Sequence, residues 1–132
     1  MYGCWTTPAG QRQDLRLKTI FDGVAALIAE HAPDAVALEE SFVGADARIA
    51  LFVGQARGAV LVACAAAGVA AAEYAPAHVK QAVCGYGRAD KTQVARMVKL
   101  VLGVEVTNNH ASDALAVAIC HATAPRALQV PA

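Results

Sequence analysis

The distribution of apolar and polar positions divides the chain into alternating helical and extended stretches. Residues 2–7 alternate, with Tyr2, Cys4 and Thr6 on one face and Gly3, Trp5 and Thr7 on the other, a pattern that predicts a strand. Pro8-Ala9-Gly10 turns the chain. Leu17, Ile20, Phe21, Val24, Leu27 and Ile28 then recur at steps of three and four, predicting a helix over 11–31 that buries one stripe. It ends at His31-Ala32-Pro33, because the residue before a proline avoids the helical region. A short apolar run over 35–38 closes on two carboxylates, Glu39 and Glu40, and reads as a buried parallel strand.

The stretch 47–67, opened by Asp46 as a candidate N-cap, is apolar nearly all round, so a helix there is expected to be buried on every face. In so small a chain one of those faces is expected to meet a second subunit. Residues 69–74 form the next strand, completing a strand–helix–strand crossover. Pro76 suits the first turn of a short helix to residue 82. Asp90 with Gln93 predicts a capping box ahead of a stripe of Val94, Met97, Val98 and Val101, which Gly103 stops. Asn108-Asn109 caps a last helix over 110–122, and 124–132, with two prolines, is expected to fray.

Composition narrows this picture little. The chain has 132 residues, 57% hydrophobic and 17% charged, enough for one α/β domain with a filled core. Its formal net charge is +0, so any nucleic-acid contact must come from a local patch. Such a patch exists: His78, Lys80, Arg88, Lys91, Arg96 and Lys99 cluster between the short helix and the one after it. Four widely spaced cysteines without a CxxC pair match reduced thiols in a cytoplasmic protein. The longest apolar run, 58–72, falls short of the roughly 20 residues of a membrane span, and no membrane partner is expected.

Two places carry candidate chemistry. Glu39 stands at the carboxyl end of a strand, where open α/β sheets bind ligands. His110 and Asp113, three apart, share a face in the first turn of the last helix, where the helix dipole tolerates a carboxylate. Carboxylate, imidazole and carboxylate together are a donor set for Mg²⁺ or Mn²⁺ in phosphodiester hydrolysis. The bland reading of each, as a wet loop glutamate or a cap with a surface histidine, stands beside it.

The set Ala37-Leu38-Glu39-Glu40-Ser41-Phe42, Gly54-Gln55-Ala56-Arg57-Gly58, Val79-Lys80-Gln81, Lys91 at the head of its helix and Ser112-Asp113-Ala114-Leu115-Ala116 resembles the RuvC Holliday-junction resolvases, over about residues 2–123. The resemblance implies a ribonuclease H-like mixed sheet with flanking helices, a nuclease domain over 1–123 and a homodimer. It implies catalytic and metal-binding roles for Glu39, His110 and Asp113, with Mg²⁺ or Mn²⁺ as cofactor. Lys80 and Lys91 become catalytic phosphate contacts, and Phe42, Lys80, Arg88 and Lys91 become DNA-binding residues, with Phe42 stacking at the junction crossover. Partners are four-way junction DNA and, by family, a branch-migration helicase complex. Members of the family begin with a strand ending in Asp-Pro-Gly and a second strand, whereas this chain starts at what matches their third. An N-terminally truncated form is therefore expected, inactive alone or limited to gripping branched DNA without cutting it.

Overall fold

The computed structural model describes residues 1–40 and 44–125. Among them the order is α1 (Gln13–His31), β1 (Ala35–Glu39), α2 (Ala47–Ala66), β2 (Ala70–Tyr74), α3 (Pro76–Cys84), α4 (Lys91–Leu102) and α5 (Asn109–Thr123). β1 and β2 pair in a small parallel sheet, joined by α2 as the crossover. Each helix lies within a few residues of its expected bounds, because its start and stop are encoded locally. Asp46 accepts from the backbone N–H groups of Arg48 and Ile49, and Asn108 from that of Ala111. Asp90 and Gln93 close the capping box in both directions. Gly85 and Gly103 end α3 and α4 in the left-handed conformation. Ala32 ends α1 at φ 44°, a region that costs a non-glycine residue about 1–2 kcal/mol.

The chain divides into two compact units. In one, comprising residues 1–4, 37–40 and 72–132, α3, α4 and α5 pack on one another and on the end of β2. Its core is small and β-branched: Val79 and Val83 of α3, Val94 and Val98 of α4, and Val117 and Ile119 of α5. Valines spaced four apart on α3 and α4 put one stripe inward from each helix. In the other unit, residues 5–36 and 41–71, α1 packs along α2. Gln13 donates to Gln55 Oε1 at 3.0 Å, and the Arg16 guanidinium to Thr7 Oγ1 at 2.9 Å. The Trp5 indole lies so close to Gly23 that a Cβ there would meet it at 2.8 Å.

Two expectations are corrected. Residues 2–7 form no strand: a strand exists only as half of a ladder, and among the described residues the ladder joins β1 and β2 alone. The Tyr2 hydroxyl instead donates to the Glu105 carbonyl at 3.1 Å. Nor is α2 buried on every face. Ile49 and Leu51 are each 60% exposed and Val62 59%, while only Ala63 and Cys64 of the helix are buried. α1 covers one side of an element that is apolar all round, so the remainder of its apolar surface faces outward. At 20 residues α2 is also long and apolar enough to cross a membrane by length and composition, a test that the shorter run 58–72 did not meet. Among the described residues the four cysteines form no disulfide, and Cys64 and Cys120 are buried.

Candidate active site

The crossover fixes the position of the first functional group. β1 runs out at Glu39, and the next residue still belongs to the ladder: the Glu40 N–H donates to the Tyr74 carbonyl at 2.8 Å. Glu39 therefore projects from the last position of a paired strand. Pro76, two residues beyond the end of β2, starts α3 without wasting a backbone donor, and α3 brings Lys80 forward in its second turn. The capping box fixes the start of α4 at Lys91, and the Asn108 cap fixes the start of α5, placing Asp113 in its second turn.

These elements meet at a cavity of about 200 Å³, lined by Glu39, Lys80, Lys91 and Asp113 over a floor of Pro76, Val79, Val94 and Ala116. Four of the five residues expected to be catalytic thus surround one space. The Lys91 ammonium stands 3.6 Å from Asp113 Oδ2, with the two side chains 78% and 38% exposed, a pair weakened by water. The Glu39 carboxyl is raised above its ordinary value. Partial burial of the group is the largest cause and the Asp113 carboxylate the second, while Lys91 and Lys80 pull it back. Two carboxylates that oppose each other's ionisation across a small cavity suit a cation.

His110 is placed differently. It is exposed at the second position of α5 and is not part of the cavity lining. Among the described residues no three histidine, cysteine, aspartate or glutamate side chains gather closely enough to hold a metal ion. The expected triad of Glu39, His110 and Asp113 is therefore present as a pair, with His110 apart from it. Helical spacing puts His110 and Asp113 on one side of α5, but the direction of an exposed first-turn side chain is not set by spacing. Arg88 is exposed in the turn before α4. Lys99, a member of the expected basic patch, is engaged with Glu105 at 3.0 Å. Phe42 lies outside the described residues.

Sequence reasoning missed a polar pair beside this cavity. Tyr74, at the end of β2, is 3% exposed, and its hydroxyl lies 2.6 Å from Nδ1 of His121 on α5. The signal available in the sequence was a tyrosine closing a strand of alanines, too weak by itself to single out.

The known proteins that this chain resembles fall in one family. The family model for crossover junction endodeoxyribonuclease RuvC matches residues 1–121. The RuvC protein of Chloroflexus aggregans is 52% identical over 126 residues, covering 93% of this chain and 77% of that protein. That of Halorhodospira halophila is 57% identical over 108 residues, covering 81% of this chain and 65% of its own length. The structure of Thermus thermophilus RuvC in complex with a Holliday junction substrate superposes with a TM-score of 0.84 at 40% identity, over 89% of this chain and 72% of that one. The fold is accordingly the ribonuclease H-like α/β architecture of those structures. Matched over nearly its whole length by sequence and by structure, the chain belongs to the RuvC family of crossover junction endodeoxyribonucleases and is, by that resemblance, a nuclease.

Proposed function

We propose that this chain carries the active site of a metal-dependent endonuclease that resolves four-way DNA junctions by paired phosphodiester hydrolysis. The observation that carries the reading is the convergence of Glu39, Asp113, Lys80 and Lys91 on one cavity. Glu39 and Asp113 would hold Mg²⁺ or Mn²⁺, with His110 as the further donor the family resemblance assigns. A divalent ion bound there supplies an acidified water and positive charge beside the phosphate. Water attacks phosphorus in line, and the bond to O3′ breaks to leave a 3′-hydroxyl and a 5′-phosphate. Lys80 and Lys91 set their ammonium groups against the non-bridging oxygens, where negative charge is held through the transition state. Arg88 extends the positive surface along the backbone, and Phe42 stacks on a base at the crossover.

A junction carries two strands to be cut, so a two-fold homodimer places one site on each. The exposed Ile49, Leu51, Phe52, Val53 and Val62 of α2 support that assembly, since solvent-facing apolar side chains of this density mark interfaces. A protein that works on DNA in recombination and repair in this way operates in the cytoplasm, beside a branch-migration helicase.

The test is incubation of the purified chain with a labelled four-way junction and Mg²⁺ or Mn²⁺. Symmetrical nicks that disappear with EDTA would support catalysis and overturn the expectation that the chain is inactive alone, and an intact, tightly bound junction refutes catalysis by this chain. One observation favours a second reading, a non-catalytic dimer that grips branched DNA: the absence, among the described residues, of a three-donor metal set. The same assay separates the two.

A further inference from the structure

The Tyr74–His121 pair sits where the strand bearing Glu39 and the helix bearing Asp113 are joined. The backbone of Tyr74 holds the end of β1, through its carbonyl and the Glu40 N–H at 2.8 Å. Its side-chain hydroxyl lies 2.6 Å from Nδ1 of His121, two turns along α5 from Asp113. The ring is held edge-on between two imidazoles, with centroids 5.6 Å from His78 and 5.7 Å from His121. A phenol this enclosed loses its hydration, so the hydroxyl is costly unless it is paired. One residue thus fixes the position of Glu40 by its main chain and of α5 by its side chain.

From this geometry we infer that Tyr74 and His121 are positioning residues, a strut that holds the Glu39 carboxylate at its working distance from Asp113. The inference rests on the reading of that carboxylate pair as a cation site. Neither residue lines the cavity, and neither takes part in the chemistry. Their effect is on the spacing of two groups that repel each other. Without the strut, repulsion would be relieved by letting the end of β1 drift, and a cation would have to draw the pair together again.

Three variants of the full chain test this: Tyr74→Phe, which keeps the ring and removes the hydroxyl; His121→Ala, which removes the partner; and His121→Asn, whose side-chain amide can stand in for Nδ1. Two quantities are read, the exchange rate of the Glu40 amide by NMR and the affinity for Mn²⁺ by water-proton relaxation. Tyr74→Phe and His121→Ala should speed Glu40 exchange up to about tenfold, the worth of one hydrogen bond, with the amides of α1 unchanged. Mn²⁺ affinity should fall about tenfold, as for other groups that orient metal ligands from behind. His121→Asn should recover much of both. Unchanged Glu40 exchange overturns the strut, and faster exchange with unchanged Mn²⁺ affinity reduces it to a packing contact and overturns the positioning role. A wild-type chain that binds no Mn²⁺ removes the cation-site reading and this inference with it. A wild-type chain that binds Mn²⁺ but does not cut junctions removes only the nuclease reading, leaving the strut to stand or fall on the two readouts above.

Discussion

Replacing Glu39 by Gln separates what the site costs from what it does. The carboxyl is raised in the folded chain, first by partial burial and next by Asp113. A raised carboxyl means that the folded state binds the proton more tightly than the unfolded one. The associated stability is fully present below the unfolded value and is lost as pH rises through the folded value, so at neutral pH ionised Glu39 is a net liability. Glutamine keeps the shape and removes the charge. The gain is small, because the residue is exposed and Lys80 and Lys91 offset part of the repulsion. With solvent screening it should be below about 1 kcal/mol at pH 7, a rise in melting temperature of at most about 4 °C for a chain of this size. Below the unfolded value of the carboxyl the difference should vanish. Cleavage should meanwhile fall by at least about 100-fold while junction binding persists. The assay is thermal unfolding from pH 4 to pH 8 in EDTA, paired with junction cleavage in Mg²⁺. A Gln variant less stable than wild type at pH 7, or one that cuts at near the wild-type rate, refutes the reasoning.

Lys80→Ala should slow cleavage and reduce the salt slope of junction binding by about 1, with a melting temperature close to wild type, since one phosphate contact is lost from a half-buried position. Asp90→Ala should destabilise the chain by about 1 kcal/mol in denaturant titrations, because it opens the capping box that starts α4, and the melt of a variant within error of wild type would contradict that role. Ala32→Gly should raise stability by about 0.5–1 kcal/mol by relieving the left-handed backbone at the end of α1, and a loss of stability would show that the strain is absent in solution.

Most elements were legible because their boundaries are local chemistry. Asp46, Asp90 and Asn108 cap, Gly103 stops, and Pro76 starts a helix, each without reference to the rest of the chain. Residues 2–7 were misread for the opposite reason. Alternation records which faces a segment could offer to a sheet, and pairing depends on a partner that alternation does not specify. How much of α2 faces outward was not legible, although a face for a second subunit was expected, since an all-apolar helix states how much surface needs cover but not what supplies it. Of the candidate site residues, Glu39 was singled out by its place at a strand end, His110 and Asp113 by their spacing on one helix, and Lys80 and Lys91 through the family resemblance. The structure gathers all but His110 around one cavity, because helical spacing sets a side of the helix and leaves an exposed side chain free to point elsewhere. The Tyr74–His121 contact joins residues 47 apart and has no local signature at all.

The four charges around the cavity balance, two carboxylates against two ammonium groups, and that balance has a consequence for Lys91. A nuclease site must accept a cation and an anion together. A lining that is neutral can do so if its internal pairs are weak enough to be exchanged for the arriving ions. The Lys91–Asp113 contact meets that condition: at 3.6 Å and with Lys91 78% exposed, it is worth about 1 kcal/mol or less. Lys91 therefore competes with a cation for Asp113 and, once displaced, is free to meet phosphate. Lys91→Ala removes both the competitor and the phosphate contact, so its effects on the two ligands should have opposite signs. Mn²⁺ affinity without DNA should rise, by at most about fivefold, while junction affinity and cleavage fall. A variant that only loses its phosphate contact would leave Mn²⁺ affinity unchanged, and one that only disturbs the fold would weaken both. Relaxation titrations with Mn²⁺ alone, junction binding in EDTA and a thermal melt distinguish the three, and a fall in Mn²⁺ affinity with an unchanged melting temperature would show that Lys91 supports the carboxylates rather than competing for them.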